Sequence, residues 1–299
     1  MKNFLVLQTD FGLCDGAVSA MYGVSLSVDP TLQIHDLTHE IPQFNVWEGS
    51  YRLYQTVPYW PKETVFVSVV DPGVGSDRLS IAVKTKGGHY IITPDNGTLT
   101  HIKQHIGIEE VRLIDEKIHR LPNSDDSHTF HGRDIYAFTG ARLAARKIRF
   151  EEIGKIISEN DIVELIQPKS SCERGYVKGN IDILDVRFGN VWTNIDRTLF
   201  SRSGIEYGDA VEVRIFHHNN EVYCNTLTFG KSFVDGNLGE ALVYINSVGK
   251  VGIALNQGSF AEQYDIGTGI NWRIQVKKVA TQLFSNRNVV NYLESNVSQ

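Results

Sequence analysis

Cysteine is scarce in this chain. It contributes three of 299 residues, Cys14, Cys172 and Cys224, odd in number and widely spaced, with no C-x-x-C pair. A disulfide framework and a thiolate zinc site are therefore both unsupported, and the thiols read as free groups in a reducing compartment. Long apolar runs are missing as well. Nothing approaches the roughly 20 apolar residues that span a bilayer. The short run N-F-L-V-L at residues 3–7 leads directly towards Asp10 and is too brief for a signal-peptide core. A soluble, cytoplasmic protein with no membrane partner is expected. There is no basic excess: 29 Lys and Arg stand against 35 Asp and Glu, a formal net charge of −6. The basic residues are scattered, which argues against nucleic acid as a partner. Internal repeats, low-complexity tracts, a P-loop and an H-E-x-x-H motif are also absent.

What is present is an ordinary globular composition, 41% hydrophobic and 21% charged, over a length that suggests two domains. The first half alternates strand and helix signals. N-F-L-V-L-Q, T-L-Q-I-H-D-L, T-V-F-V-S-V-V, L-S-I-A-V-K-T, H-Y-I-I-T and E-V-R-L-I read as short buried strands. Residues 15–27, 45–57 and, more clearly, 131–147 have helical spacing, and Asn96-Gly97 marks a turn opening 98–106. The pattern predicts an α/β domain over 1–168 with a mostly parallel sheet. Residues 167–180, Q-P-K-S-S-C-E-R-G-Y-V-K-G-N, read as a linker or domain edge. Beyond them helix signals fade. N-I-D-I-L-D-V, D-A-V-E-V-R-I-F, E-A-L-V-Y-I-N, K-V-G-I-A-L and I-N-W-R-I-Q-V-K-K-V predict a small all-β, barrel-like domain over 176–299.

Polar residues cluster where strands end, the usual place for ligands in open α/β sheets. Asp10 follows the first strand in T-D-F-G, Asp36 and His39 the second, Asp71 the third, and Asp95-Asn96 a later one. Each alone would serve equally well as a helix cap or turn residue. Asp71 opens D-P-G-V-G-S-D-R, a tight glycine-rich loop with Arg78 seven positions on. A Rossmann reading fails for want of a third glycine and a following helix. A plain loop salt bridge would use Asp71 and Arg78 just as readily. A second cluster, T-F-H-G-R-D, sets His131, Arg133 and Asp134 at a helix start, where anions are favoured. His131 titrates near neutrality, although a capping role is open to it. The third cluster, D-V-R-F-G-N-V-W-T-N-I at residues 185–195, mixes an acid, amides and two aromatics. Such a mixture suits a flat heterocycle, and Phe188 and Trp192 would also serve as core residues.

Taken in order, T-D-F-G, D-L-T-H, V-V-D-P-G-V-G-S-D-R, P-D-N-G, H-G-R-D, F-G-N-V-W-T-N-I and N-S-V-G run from residue 9 to about residue 260. This series resembles the S-adenosyl-L-methionine hydroxide adenosyltransferases, water-using relatives of the fluorinases and chlorinases. The resemblance implies hydrolysis of S-adenosyl-L-methionine to adenosine and L-methionine without metal or other cofactor. It implies an α/β domain joined to a β-barrel, and a homotrimer with sites between subunits. The family's water-handling triad corresponds to Asp71, Arg78 and His131. Its ribose-binding acid corresponds to Asp10, its methionine-binding acid to Asp185, its adenine-binding amide to Asn190, and its methionine-carboxylate contact to Ser247. Phe188 and Trp192 join them as expected substrate contacts. Val248 and Leu255 stand where the family carries basic residues, and Gly252 where it carries an acid. The halogenase branch has an insertion and lacks the triad, which this chain does not match. A metal-dependent hydrolase using Asp10, Asp36, His39, Asp71 and His131, and a non-catalytic sensor of S-adenosyl-L-methionine or adenosine, are the remaining alternatives.

Overall fold

The computed structural model describes residues 3–279, and the chain divides into two compact units between Gln167 and Pro168. Residues 280–299, counted in the expected second domain, lie outside the described residues.

The first unit holds a seven-stranded sheet of β1 (Leu5–Thr9), β2 (Ile34–Thr38), β3 (Val65–Val69), β4 (Ser80–Thr85), β5 (Tyr90–Pro94), β6 (Ile108–Leu113) and β7 (Ile156–Ile157). Their spatial order is β2-β1-β3-β5-β4-β6-β7. β1, β2, β3 and β5 pair in parallel; β4 is antiparallel to β5 and β6, and β7 to β6. Five strands thus run one way and two the other, the mostly parallel sheet expected. β1 and β3 are buried along their whole length, as strands covered on both faces must be. The helices are α1 (Ala17–Val28), α2 (Val46–Thr56), α3 (Thr100–His105), α4 (Glu116–His119) and α5 (Phe138–Ala144). The helix expected over 131–147 is not uniform. Gly132–Ala137 form a wide π-helical turn before α5. In α5 itself Gly140 lies so close to the sheet that a Cβ would stand 2.4 Å from Val67.

The second unit contains β8 (Ser171–Glu173), β9 (Tyr176–Asp185), β10 (Asn190–Asp196), β11 (Ala210–His217), β12 (Asn220–Phe229), β13 (Ala241–Ile245), β14 (Lys250–Leu255) and β15 (Trp272–Lys278). Two short helices, α6 (Arg197–Ser201) and α7 (Phe260–Tyr264), accompany them. The order β10-β14-β13-β12-β11-β15-β9 closes on itself because β9 also pairs with β10, giving a seven-stranded barrel with β8 appended to β9. Among the described strands of this unit only β12 and β13 pair in parallel. Val177, Ile181, Val191, Val213, Ile253 and Ile274 are among the buried side chains of its core. The segment expected as a linker or domain edge holds the boundary between the units at its start, and β8 and the start of β9 fall within the rest of it.

Candidate active site

In the first unit, the loop after β3 and the approach to β4 bring Asp71 and Arg78 together. Arg78 Nε donates to Asp71 Oδ1 at 2.7 Å, and its Nη2 donates to Asp71 Oδ2. Both side chains are more than nine-tenths buried, at 9% exposure for Arg78 and 5% for Asp71. The loop is shaped for this: Gly75 has φ +80°, and Ser76 closes a turn by bonding back to the Gly73 carbonyl. Asn96 steadies the strand end by donating to the Val70 carbonyl at 2.8 Å. Asp95 accepts from the Val163 amide, and burial raises its pKa. Both residues therefore serve the loop's framework.

His131 meets the same guanidinium: Arg78 Nη2 lies 3.2 Å from His131 Nδ1. The three residues expected as a triad are thus in contact. Further partners complete a ring of side chains. Arg78 Nη1 reaches Ser80 Oγ at 3.3 Å, Ser80 donates to Glu116 Oε1 at 2.7 Å, and Arg120 Nη2 stands 3.4 Å from both Glu116 Oε2 and His131 Nε2. Tyr136 closes the floor, its hydroxyl 3.0 Å from Ser80 and its ring 5.6 Å beneath the Arg78 guanidinium. Burial works against the charge on Arg78, but the bonds to Asp71 and the nearby acids outweigh it and raise its pKa. His131 is lowered, first by burial and then by Arg78 and Arg120, with Glu116 and Asp71 opposing. Burial also holds the Tyr136 hydroxyl protonated.

Other sequence-singled residues take quieter places. Asp134 is fully buried and bound twice by Arg133, at 2.6 and 3.0 Å. Asp36 joins His39 Nε2 at 2.8 Å, and His39 Nδ1 joins Thr9 Oγ1 at 2.8 Å, bracing the end of β1 just before Asp10. Asp10 accepts from the Phe44 amide at 2.8 Å. Phe11 and Phe130 stack edge-on with centroids 5.7 Å apart, so the T-D-F-G and F-H-G-R-D segments touch. Among the described residues no three His, Cys, Asp or Glu side chains gather in a way that could hold a metal ion. The arrangement of Asp10, Asp36, His39, Asp71 and His131 therefore does not support the metal-hydrolase alternative.

The second unit has its own cavity, of about 930 Å³, lined by Asp185, Phe188, Asn190, Trp192 and Ser247, the five second-domain residues singled out in the sequence. The β9–β10 hairpin sets three of them. Asp185 faces Asn190 across the register, Gly189 turns the chain at φ +66°, and Asn190 Nδ2 donates to Asp185 Oδ2 at 3.3 Å. Tyr244, missed in the sequence, also lines the cavity and accepts a 2.8 Å bond from Trp192 Nε1. Burial pushes its hydroxyl up to about 12. The departure at Gly252 has a physical reason here. Gly252 lies opposite both Trp192 and Tyr244, and a Cβ there would meet the Tyr244 ring at 2.9 Å. Leu255 lines the cavity too, alongside Arg187 and Lys231 as its cationic side chains. Ser80, Glu116 and Arg120 were likewise missed. Their only sequence signal is the i,i+4 spacing of Glu116 and Arg120, which reads as a solvated helix pair.

Comparison with known proteins agrees with these two halves. The SAM hydroxide adenosyltransferase N-terminal domain matches residues 5–154, and the corresponding C-terminal domain matches residues 179–273. An (R)-S-adenosyl-L-methionine hydrolase from Salinispora tropica is 35% identical over 276 residues, 91% of this chain and 97% of that protein. A fluorinase from an Actinoplanes species is 29% identical over 291 residues, 89% of this chain and 95% of the relative. The crystal structure of an uncharacterized conserved protein from Thermotoga maritima superposes with a TM-score of 0.83 at 34% identity, covering 92% of this chain and all of that one. The chain belongs to the S-adenosyl-L-methionine hydroxide adenosyltransferase family.

Proposed function

We propose that this protein is an enzyme that hydrolyses S-adenosyl-L-methionine, with water attacking C5′ of the ribose. The carrying observation is the buried contact of Asp71 with Arg78 and of Arg78 with His131. A relative named as a hydrolase at 35% identity over most of both chains supports the substrate. The fluorinase is more distant, at 29%.

The chemistry suits such a site. Methionine leaves a sulfonium as a neutral thioether, so its departure needs no acid. The demand falls on water, which must lose one proton overall as substrate and water become adenosine, methionine and H⁺. His131 accepts that proton, while Arg78, held by Asp71, stabilises the developing oxyanion. An anion attacking a cation destroys charge, so a dry site favours the step over bulk water. No step requires a metal or a redox cofactor. Asp10 is assigned to the ribose, Asp185 to the methionine ammonium, Asn190 to adenine and Ser247 to the carboxylate, with Phe188 and Trp192 against the flat heterocycle.

The proposed assembly is a homotrimer in which neighbouring subunits share each site. Exposed apolar side chains at the cavity support it: Phe188 and Phe233 line the cavity and are exposed, as are Val186 and Val234 beside them in the chain. Cytoplasmic placement is proposed from the three free cysteines, two of them exposed. Among the described residues no helix is long and apolar enough to cross a membrane.

Incubation with S-adenosyl-L-methionine in ¹⁸O-water tests the reading. Equal amounts of methionine and adenosine are expected, with the label at C5′ of adenosine. Adenosine without label, or binding without turnover, would overturn it.

A further inference from the structure

The imidazole of His131 has a guanidinium at each nitrogen. Arg78 Nη2 stands 3.2 Å from Nδ1 and Arg120 Nη2 stands 3.4 Å from Nε2. A neutral imidazole carries one lone pair and one N–H, so it can serve one of these donors, whereas a protonated ring can serve neither. The second guanidinium is not a surface accident. The Arg120 side chain is 8% exposed and reaches Glu116 at 3.4 Å, while its Nε is 3.8 Å from the exposed Asp125. Its Nη1 is buried with no hydrogen-bond partner among the described residues. Leaving a charged donor buried and unmet is costly, and folding alone would be served as well by an apolar side chain.

We infer that Arg120 is a positioning residue of the hydrolytic centre, which with Arg78 brackets His131 and keeps its imidazole neutral and fixed in orientation as proton acceptor. The inference rests on the hydrolytic role proposed for His131. The charged and titratable neighbours of the ring divide by sign. Arg78 and Arg120 oppose a ring proton; Glu116 from α4 and Asp71 from the loop after β3 favour one; His128 lies edge-on with its centroid 6.2 Å away. Burial works first against the ring proton, and the two guanidiniums, which touch the ring nitrogens, add to it, while Glu116 and Asp71 oppose from their bonds to Arg120, Ser80 and Arg78.

The test compares the intact protein with Arg120→Lys and Arg120→Gln, reading the His131 midpoint by NMR of its ring Cε1–H and the pH dependence of S-adenosyl-L-methionine hydrolysis. In Arg120→Gln the midpoint and the acid limb of kcat should rise together by about one pH unit, and kcat should fall by up to about tenfold at pH values below both midpoints, with little change in KM. Arg120→Lys should restore part of both, because it returns the charge without the planar fork. An unmoved His131 midpoint in a folded Arg120→Gln protein overturns the inference and leaves the triad standing. A midpoint that moves while the acid limb stays put also overturns it. If His131→Ala then retains full turnover, the hydrolytic reading of His131 has failed rather than the electrostatic one.

Discussion

A histidine that must accept a proton is useful only in its neutral form. Burial and two guanidiniums lower the pKa of His131, so its neutral form persists below the ordinary histidine midpoint of about 6.5. Turnover should therefore hold as pH falls through 6.5 and drop only at lower pH. A pH–rate profile whose acid limb lies at or above 6.5 would count against this. Asp71→Asn, Arg78→Lys and His131→Ala should each lower kcat by on the order of 10²-fold or more, with KM much less affected, since they act on the nucleophile. Steady-state kinetics on folded variants decide it, and near-normal kcat in His131→Ala would remove that residue from the mechanism. At this scale the sequence was legible where residues sit in compact motifs: Asp71, Arg78 and His131 do touch. Ser80, Glu116 and Arg120 were not, because β4 and α4 present them as an ordinary strand serine and a helical ion pair. Only the fold links them into the ring with Arg78 and His131.

The elements carry their own tests. Gly252 on β14 leaves room for Tyr244 on β13, which bonds to Trp192 on β10. Gly252→Ala should push the ring aside, costing about 1–3 kcal/mol of stability by overpacking and weakening substrate binding more than kcat. Unchanged KM and thermal midpoint would show that the three strands tolerate the methyl group. On β9, burial raises Asp182 to about 7, with Lys250 opposing and Asp196 adding to the shift. Its folded pKa exceeds the unfolded one, so the folded state holds the proton more tightly. The resulting stability is present below about pH 4 and is lost as pH rises towards 7. Melting of the wild type should thus fall between pH 5 and pH 8 by more than that of Asp182→Asn. Parallel slopes would remove Asp182 from the pH response. Most strands were readable from apolar runs, but β12 was not. Its inward residues are Tyr223, Leu227 and Phe229, spaced four and then two apart, and a register shift lies opposite in β11. The three share one face, but the position between Tyr223 and Leu227 on that face is the polar Asn225, which breaks the apolar alternation. The π-helical turn at Gly132 escaped for a similar reason, since its apolar spacing resembles that of a regular helix.

For the molecule as a whole, Asp71, Arg78 and His131 lie on one unit of the chain, and the residues proposed to contact adenine and methionine in the second domain lie on the other. The proposed sharing of sites between neighbouring subunits predicts that Asp71→Ala and Asn190→Ala chains that are each weak should regain activity when unfolded together and reassembled. Some interfaces would then join two intact halves. Activity no greater than the average of the parents, with subunit mixing confirmed by native mass spectrometry, would show that each chain supplies a whole site.

The closure of the barrel also sets an order in time. Every strand of the first sheet has been synthesised by Ile157. The barrel, by contrast, cannot close until Trp272–Lys278 arrive to fill the gap between β11 and β9. During synthesis the first sheet can thus be complete while the second unit still shows two open strand edges, at Val211–His217 and at Tyr176–Asn180. Such edges invite pairing with other chains. The nascent protein is most vulnerable between the emergence of β9 and that of β15, the strand that completes the barrel.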